Sequence, residues 1–281
     1  MPVTSKGYKP GYHFQDPPVK FQKSQRSVDH LIVTPGYEEY LLECPEVTAD
    51  PEIFSRVMKE LLVPQRDRSR SFSASAAGSC LRRQELGFLG APPLRNNSPR
   101  GIRIFNNGTF VHLRWQIGLL AAGILDDIEY TVQRGITRAT MDGIGVARRG
   151  VYKGMRFGWE MKSAMSFSWS SQERNGTPAA KVRKQVAMQM YETGYDVWSV
   201  TNENKDTQEI SEFIIERDES EISDAKKELK DLQRAIEIQR LHPQLPECVK
   251  QNKTGEFYKC PFGTPQGVCV SAGNWPTVNF R

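Results

Sequence analysis

The sequence predicts an α/β (α+β) fold in which a central mixed β-sheet is flanked by helices. Three observations predict it. Short runs of β-branched and aromatic residues, bounded by turn-forming residues, crowd between residues 128 and 217. Segments with a 3.6-residue apolar period lie before, between and after them. No run approaches the roughly 18 apolar residues of a membrane span. With 281 residues, 38% of them hydrophobic, the chain can bury a good core as one domain with additions.

Residues 1–72 read as an N-terminal arm or cap. Up to about residue 50 they are rich in Pro, Gly, Lys and Gln and lack periodicity. A short amphipathic helix then runs from Pro51 to Leu62. Ile53, Phe54, Val57 and Leu61 recur with helical spacing, Asp50 suits the cap and Pro51 the first turn. Residues 73–241 form the core. It opens with a helix around Cys80, followed by a Pro- and Asn-rich loop from Pro92 to Pro99 and an apolar helix through His112. Strands are expected near 128–134, 137–148, 151–163, 196–202 and 209–217. A helix over 181–193 crosses between them and stops at Gly194. A long charged helix covers 221–241. His242-Pro243 ends it and opens a cysteine-rich tail, 242–281.

The most informative pattern is Asp142-Gly143 followed by Glu160-Met161-Lys162. Side chains alternate along a strand, so Glu160 and Lys162 share one face with Met161 opposite. Asp142, at the end of a neighbouring strand, reaches the same spot if the two strands pair. Converging carboxylates bind a hard divalent cation such as Mg²⁺ or Mn²⁺ through oxygen. A lysine beside them orients or activates water and offsets phosphate charge, which is the equipment of metal-assisted phosphodiester hydrolysis. The same three residues also read as an ordinary solvated strand face. His112 offers a neutral nitrogen ligand, or is a satisfied histidine of its helix. Gln185 falls one turn into the 181–193 helix, close to Lys181, Arg183 and Lys184, and reads as a site residue or as an exposed glutamine.

Net charge is +5, compatible with a DNA partner but not diagnostic of one. Basic clusters at Arg82-Arg83, Arg148-Arg149 and Lys181–Lys184 are candidates for phosphate contact, with solvated loops as the alternative. Trp159, Phe167, Trp169 and Tyr191 either stack on unpaired bases or belong to the core.

The five cysteines are Cys44, Cys80, Cys248, Cys260 and Cys269. An odd count and wide spacing argue against a disulfide framework. No apolar segment with a basic start opens the chain, so a reducing compartment is expected: the cytoplasm of a prokaryotic or phage-infected cell. Cys80 precedes the motifs, while Cys248, Cys260 and Cys269 follow the last helix. If these four ligate one centre, they pin the tail to the helix at Cys80, and thiolates in that number suit zinc or an iron–sulfur cluster.

The order Gly108-x-x-x-His112, Asp142-Gly143, Glu160-x-Lys162 and a Gln185-bearing helix resembles the PD-(D/E)xK nuclease superfamily, and most of all its RecB-like branch, which includes CRISPR-adaptation exonucleases. The resemblance spans roughly residues 73–270. It implies a restriction-endonuclease-like core and metal-dependent DNA exonuclease activity in recombination, repair, phage or CRISPR-adaptation settings, with a recombination or replication protein as a possible partner. It implies His112, Asp142, Glu160 and the Met161 carbonyl as metal ligands, Lys162 as the catalytic lysine and Gln185 as the helix residue that orients the site. Arg82, Lys181, Arg183, Lys184 and Tyr191 become substrate contacts. Cys80-Leu81-Arg82 and Cys260-Pro261-Phe262 resemble the elements that hold a [4Fe–4S] cluster in that branch, with zinc as the alternative. The branch usually shows Gln-x-x-x-Tyr where this chain has Gln185 and Gln189. The segments 185–193 and 215–219 look instead like the lambda-exonuclease branch, which implies a double-strand exonuclease without a cluster. A non-catalytic DNA-binding or assembly factor is the remaining reading.

Overall fold

The computed structural model describes residues 27–43, 50–62, 70–92 and 99–245, together with Cys260, Phe262 and Cys269. In chain order the elements are α1 (Thr34–Glu43), α2 (Pro51–Leu62), β1 (Phe72–Ser73), α3 (Leu81–Phe88), α4 (Pro99–Ala121), β2 (Asp127–Arg134), β3 (Thr137–Val146), β4 (Arg156–Ala164), α5 (Ser166–Asn175), α6 (Ala180–Thr193), β5 (Val197–Asn204), β6 (Ile210–Glu216) and α7 (Glu219–Glu237). Short 3₁₀ turns precede α1 and α3.

One six-stranded mixed sheet organises the chain, in the order β1-β3-β4-β5-β6, with β2 also paired to β3. β4 and β5 are parallel, as are β1 and β3; the other pairs are antiparallel. The α6 crossover makes the parallel β4–β5 pair possible, since parallel neighbours cannot be joined by a hairpin. Gly194, at φ 76°, ends α6 in the left-handed conformation, and its N–H bonds the Met190 carbonyl at 2.8 Å.

Two cores sandwich the sheet. On one face Val111, Trp115 and Leu119 of α4 pack with Phe157, Trp159 and Met161 of β4 and with Tyr37 and Val57. On the other, Val186, Ala187 and Met190 of α6 pack with Met141, Trp198, Val200, Phe213 and Ile222. The buried Gly158 lets the Trp198 ring approach to where a Cβ would stand 2.3 Å from it.

The region expected to be a loose arm differs from that expectation over its described part. Tyr37 of α1 stacks on Trp115 with ring centroids 4.2 Å apart. The buried Glu212 carboxylate of β6 accepts the N–H groups of Ile32, Val33 and Thr34 at 3.0, 2.9 and 2.7 Å. These are the open donors at the start of α1, and the acid satisfies them from a residue far along the chain. The expected strand over 151–163 begins only at Arg156, because 147–155 turns back on itself with the Gly154 N–H bonded to the Ala147 carbonyl. α2 matches its expected span, with the Glu52 N–H bonded to Asp50 Oδ1 at 2.7 Å.

Candidate active site

The site forms where pairing around β3 breaks. β2 occupies one edge of β3, so β1 and β4 share the other: β1 pairs with residues 137–138 and β4 with residues 143–146. Asp142 stands at the fork where β4 leaves. Extending the β3–β4 register by one step sets Asp142 against Glu160. The β2–β3 register, with Ile128 on Gly143 and Tyr130 on Met141, sets Glu129 against Asp142. Three carboxylates therefore form a row across β2, β3 and β4. Glu129 has φ 46°, a strained backbone for a residue with a side chain. Gly143 follows Asp142 because a Cβ there would meet Leu125 at 2.5 Å and the Trp159 ring at 3.2 Å.

Helices close the row from both faces of the sheet. From α4, His112 Nδ1 lies 3.5 Å from Asp142 Oδ2. One turn on, the fully buried Gln116 donates to Glu129 Oε1 at 2.9 Å and to the Asp142 carbonyl at 3.0 Å. The Met161 N–H donates to Asp142 Oδ2 at 2.7 Å, taking the place of a ladder bond. From α6, Gln185 donates to Glu160 Oε1 at 2.6 Å, and Gln189 donates to Glu160 Oε2 at 3.0 Å and to the Thr140 carbonyl at 2.9 Å. Lys162 Nζ donates to Glu160 Oε1 at 2.5 Å.

The charges are strongly coupled. Burial raises the Glu160 carboxyl, and the Asp142 charge raises it further against Lys162 and Gln189. Burial works against Asp142 too, but His112, Lys162 and the Met161 N–H together hold it below the usual range. Glu129 is pushed up to about 7 by burial and then by Asp142. Burial alone would lower His112 and Lys162, but the facing carboxylates raise both. Mutual repulsion among buried acids is what a bound cation would relieve.

Asp142, Glu160, Lys162, His112 and Gln185 are thus brought together, and Met161 presents its main chain while its side chain is core. Among the described residues no three His, Cys, Asp or Glu side chains stand in ligating geometry for one ion; Glu160 is closed on Lys162, Gln185 and Gln189. Sequence reasoning missed Glu129, Gln116 and Gln189 as site residues. The Gly135-Ile136 hairpin turn fixes a register from which Glu129 follows, and helical periodicity places Gln116 beside His112.

Four of the expected substrate contacts have partners away from the row. Arg82 is buried and donates to the His242 carbonyl at 2.9 Å and the Cys269 carbonyl at 3.1 Å, so it braces the tail. Arg183 pairs with Glu221 of α7, and the Lys184 stem lies over the Gly78 turn. Tyr191 packs in the α6–α7 core with the Lys226 ammonium 5.2 Å from its ring centroid. For the three α6 residues the reason is helical phase: Lys181, Gln185 and Gln189 form one i, i+4, i+8 stripe, and Arg183, Lys184 and Tyr191 lie off it. Lys181 stands at the exposed first turn of that stripe, and burial and then the Arg83 and Lys162 charges lower its ammonium. Trp159 is core, Trp169 donates to the Asn202 carbonyl at 3.2 Å, and Phe167 is 85% exposed.

A second cluster lies at the start of α3. Cys80 occupies the N-cap position, and Cys260 and Cys269 are buried with Leu86, Ala91, Leu241 and Phe262. Burial pushes the Cys80 thiol up, and the nearby Cys260 and Cys269 add to that. The fully buried Glu85 accepts from the His242 N–H at 2.8 Å and meets its Nδ1. Cys248 and Cys44 lie outside the described residues.

The chain matches no protein-family model and no curated protein sequence. Among solved structures it is similar to an alkaline exonuclease from Laribacter hongkongensis, with 16% identity over 61% of this chain and 90% of that one and a TM-score of 0.44. The same exonuclease in complex with dAMP gives 18% identity, 61% and 92% coverage and a TM-score of 0.43. SSO0001 gives 14% identity, 66% and 86% coverage and a TM-score of 0.42. At such values the likeness is loose. No described helix is long and apolar enough to cross a membrane.

Proposed function

We propose that this chain is a divalent-metal-dependent deoxyribonuclease that hydrolyses phosphodiester bonds, working as an exonuclease on DNA ends or single strands. The observation that carries the reading is the row Glu129–Asp142–Glu160 with Lys162 and His112 at its sides. Buried carboxylates that repel one another, set beside a main-chain strand segment, are a hard oxygen donor set that fits Mg²⁺ or Mn²⁺. Asp142, Glu160, His112 and the Met161 carbonyl would hold the ion, and it would supply Lewis-acid activation of water and phosphate. For that, Lys162 must leave Glu160 Oε1, which frees its ammonium to face the scissile phosphate and the attacking water. Gln185 and Gln189 hold the Glu160 carboxylate in its rotamer while this happens, and Met161 N–H does the same for Asp142. Lys181 adds positive charge at the rim for the phosphate backbone.

Cys80, Cys260 and Cys269, with Cys248, would hold a structural [4Fe–4S] cluster or zinc. The soft donor set fits either, and three of the four thiols already share one buried neighbourhood. Gln189 where the RecB-like pattern has Tyr favours a lambda-type double-strand exonuclease as the second reading. The test is digestion of end-labelled single- and double-stranded DNA with Mg²⁺, Mn²⁺ or EDTA, using wild type, Glu160→Ala and Lys162→Ala. Metal-dependent cleavage lost in both variants supports the proposal. Cleavage that survives in either removes that residue from the chemistry, and none in wild type leaves a DNA-binding factor.

A further inference from the structure

Lys162 on β4 stands opposite Asn202 on the parallel strand β5, one place beyond the pair Glu160–Val200 on the same face. Opposed residues of parallel neighbours project to one face of the sheet, with strands about 4.8 Å apart. Val200 lies in the α6-side core, so Asn202 projects beside Lys162 on the face that carries Glu160 and Gln185. Asn202 is 1% exposed, and neither its Oδ1 nor its Nδ2 has a hydrogen-bond partner among the described residues. Its main chain is in the β5 ladder, and its carbonyl also accepts from Trp169. The period-two series on this face reads Trp198, Val200, Asn202: it turns from apolar to amide where it passes Lys162. A buried carboxamide with both ends unpaired destabilises the fold, and a group kept at that cost calls for a reason.

Lys162 supplies the reason. An ammonium has three N–H donors. In this structure one meets Glu160 Oε1 at 2.5 Å and another reaches Gln185 Oε1 only at 3.4 Å. Once Glu160 is engaged by a cation, the lysine loses its strong partner. We propose that Asn202 is a positioning residue for Lys162: its Oδ1 accepts the ammonium when the lysine moves off Glu160, fixing it at the scissile phosphate. Asn202 acts through Lys162 and does not itself touch substrate. The inference rests on the nuclease reading of Lys162.

The test compares Asn202→Leu, Asn202→Asp and Lys162→Ala by steady-state cleavage of labelled DNA with Mn²⁺ and by thermal melting without metal. Leucine shares asparagine's branching and heavy-atom count and removes the unpaired amide. Asn202→Leu is expected to melt at or above the wild-type temperature, with kcat down about tenfold or more and KM within about twofold. Asn202→Asp keeps an acceptor and is expected to retain most of kcat. Wild-type kcat in Asn202→Leu, or a kcat loss that tracks a fall in melting temperature, overturns the inference. If Lys162→Ala is inactive while Asn202→Leu is normal, only this inference fails; if Lys162→Ala cleaves normally, the nuclease reading of Lys162 fails with it. A readout independent of cleavage is the Lys162 ammonium signal in ¹⁵N-lysine-labelled protein with Mg²⁺. It is expected to stay sharp in wild type and to broaden in Asn202→Leu, and equal line widths would overturn the proposal.

Discussion

The carboxylate row and the cysteine cluster bury their chemistry in opposite ways. The row draws on residues 112–189, and adjacent strands and the helices beside them set its geometry. The cluster joins the start of α3 to His242, Cys260, Phe262 and Cys269, and Arg82 and Glu85 make the ties to His242 and Cys269. In the row, Glu160 is held by Lys162, Gln185 and Gln189, Asp142 by the Met161 N–H and His112, and Glu129 by Gln116, and burial works against the charge of each acid. In the cluster, buried side chains from distant parts of the chain pack together, and a metal held by its thiols would add a long-range closure. Variants in the row are therefore expected to lose activity and keep stability, and variants in the cluster the reverse.

The largest expected effect breaks the row without breaking the fold. Glu160→Gln keeps an acceptor for Gln185 and removes the charge that burial and Asp142 make unfavourable. Turnover on DNA is expected to fall by roughly 10³-fold or more, while the metal-free melting temperature stays level or rises. Mn²⁺ is expected to raise the melting temperature of wild type and not of the variant. A variant that loses both turnover and stability would show that the row is a structural ion network.

Cys260→Ser is the complementary experiment. A hydroxyl replaces a thiol in the apolar setting of Leu86, Leu241 and Phe262. A stability loss of about 2 kcal/mol or more is expected in urea unfolding, with loss of iron or zinc from the purified protein. The folded fraction is expected to cleave DNA at a wild-type rate. Unchanged metal content would remove Cys260 from any ligand set.

Glu129 sharpens the comparison within the row. Its folded pKa, about 7, lies above its ordinary 4.5. The folded state therefore binds a proton that the unfolded chain releases first. This stabilisation is full below about pH 4.5 and is lost as pH rises through about 7. His112 and Glu160 are raised and act in the same direction, while Asp142 is lowered and opposes them. In metal-free protein, wild type is expected to lose about 2 kcal/mol between about pH 5.5 and 8 that Glu129→Gln does not lose. Equal pH slopes for the two proteins would place Glu129 outside the coupled row.

Much of the row was legible because strand periodicity is local. Glu160-Met161-Lys162 could only alternate, and Asp142-Gly143 could only end at a close approach. Glu129 was hidden because its role comes from hairpin register, and Gln189 because the family pattern led attention to tyrosine. α5 was missed: Ser166-Phe167-Ser168-Trp169-Ser170-Ser171 is a poor helix former by composition, and the helix is held by contacts with β4 and β5. The docking of α1 was illegible for a different reason. Its anchor, Glu212, lies far along the chain, and no local pattern announces such a partner.

The smallest expected effect separates the two sides of α6. Lys181 lies on the stripe of Gln185 and Gln189, and its ammonium is lowered by burial, Arg83 and Lys162. That crowding of like charge is a potential suited to a polyanion. Arg183 is paired with Glu221 on the α7 side. Lys181→Ala is expected to weaken DNA binding a few-fold and to reduce the slope of log affinity against log salt by about one phosphate contact. Arg183→Ala is expected to leave both unchanged and to cost at most about 0.5 kcal/mol of stability, because its ion pair is partly solvated. Fluorescence anisotropy at two salt concentrations reads both. If Arg183→Ala changed the salt slope and Lys181→Ala did not, DNA would approach over α7, away from the carboxylate row, and the row would not be the place where the strand is cut.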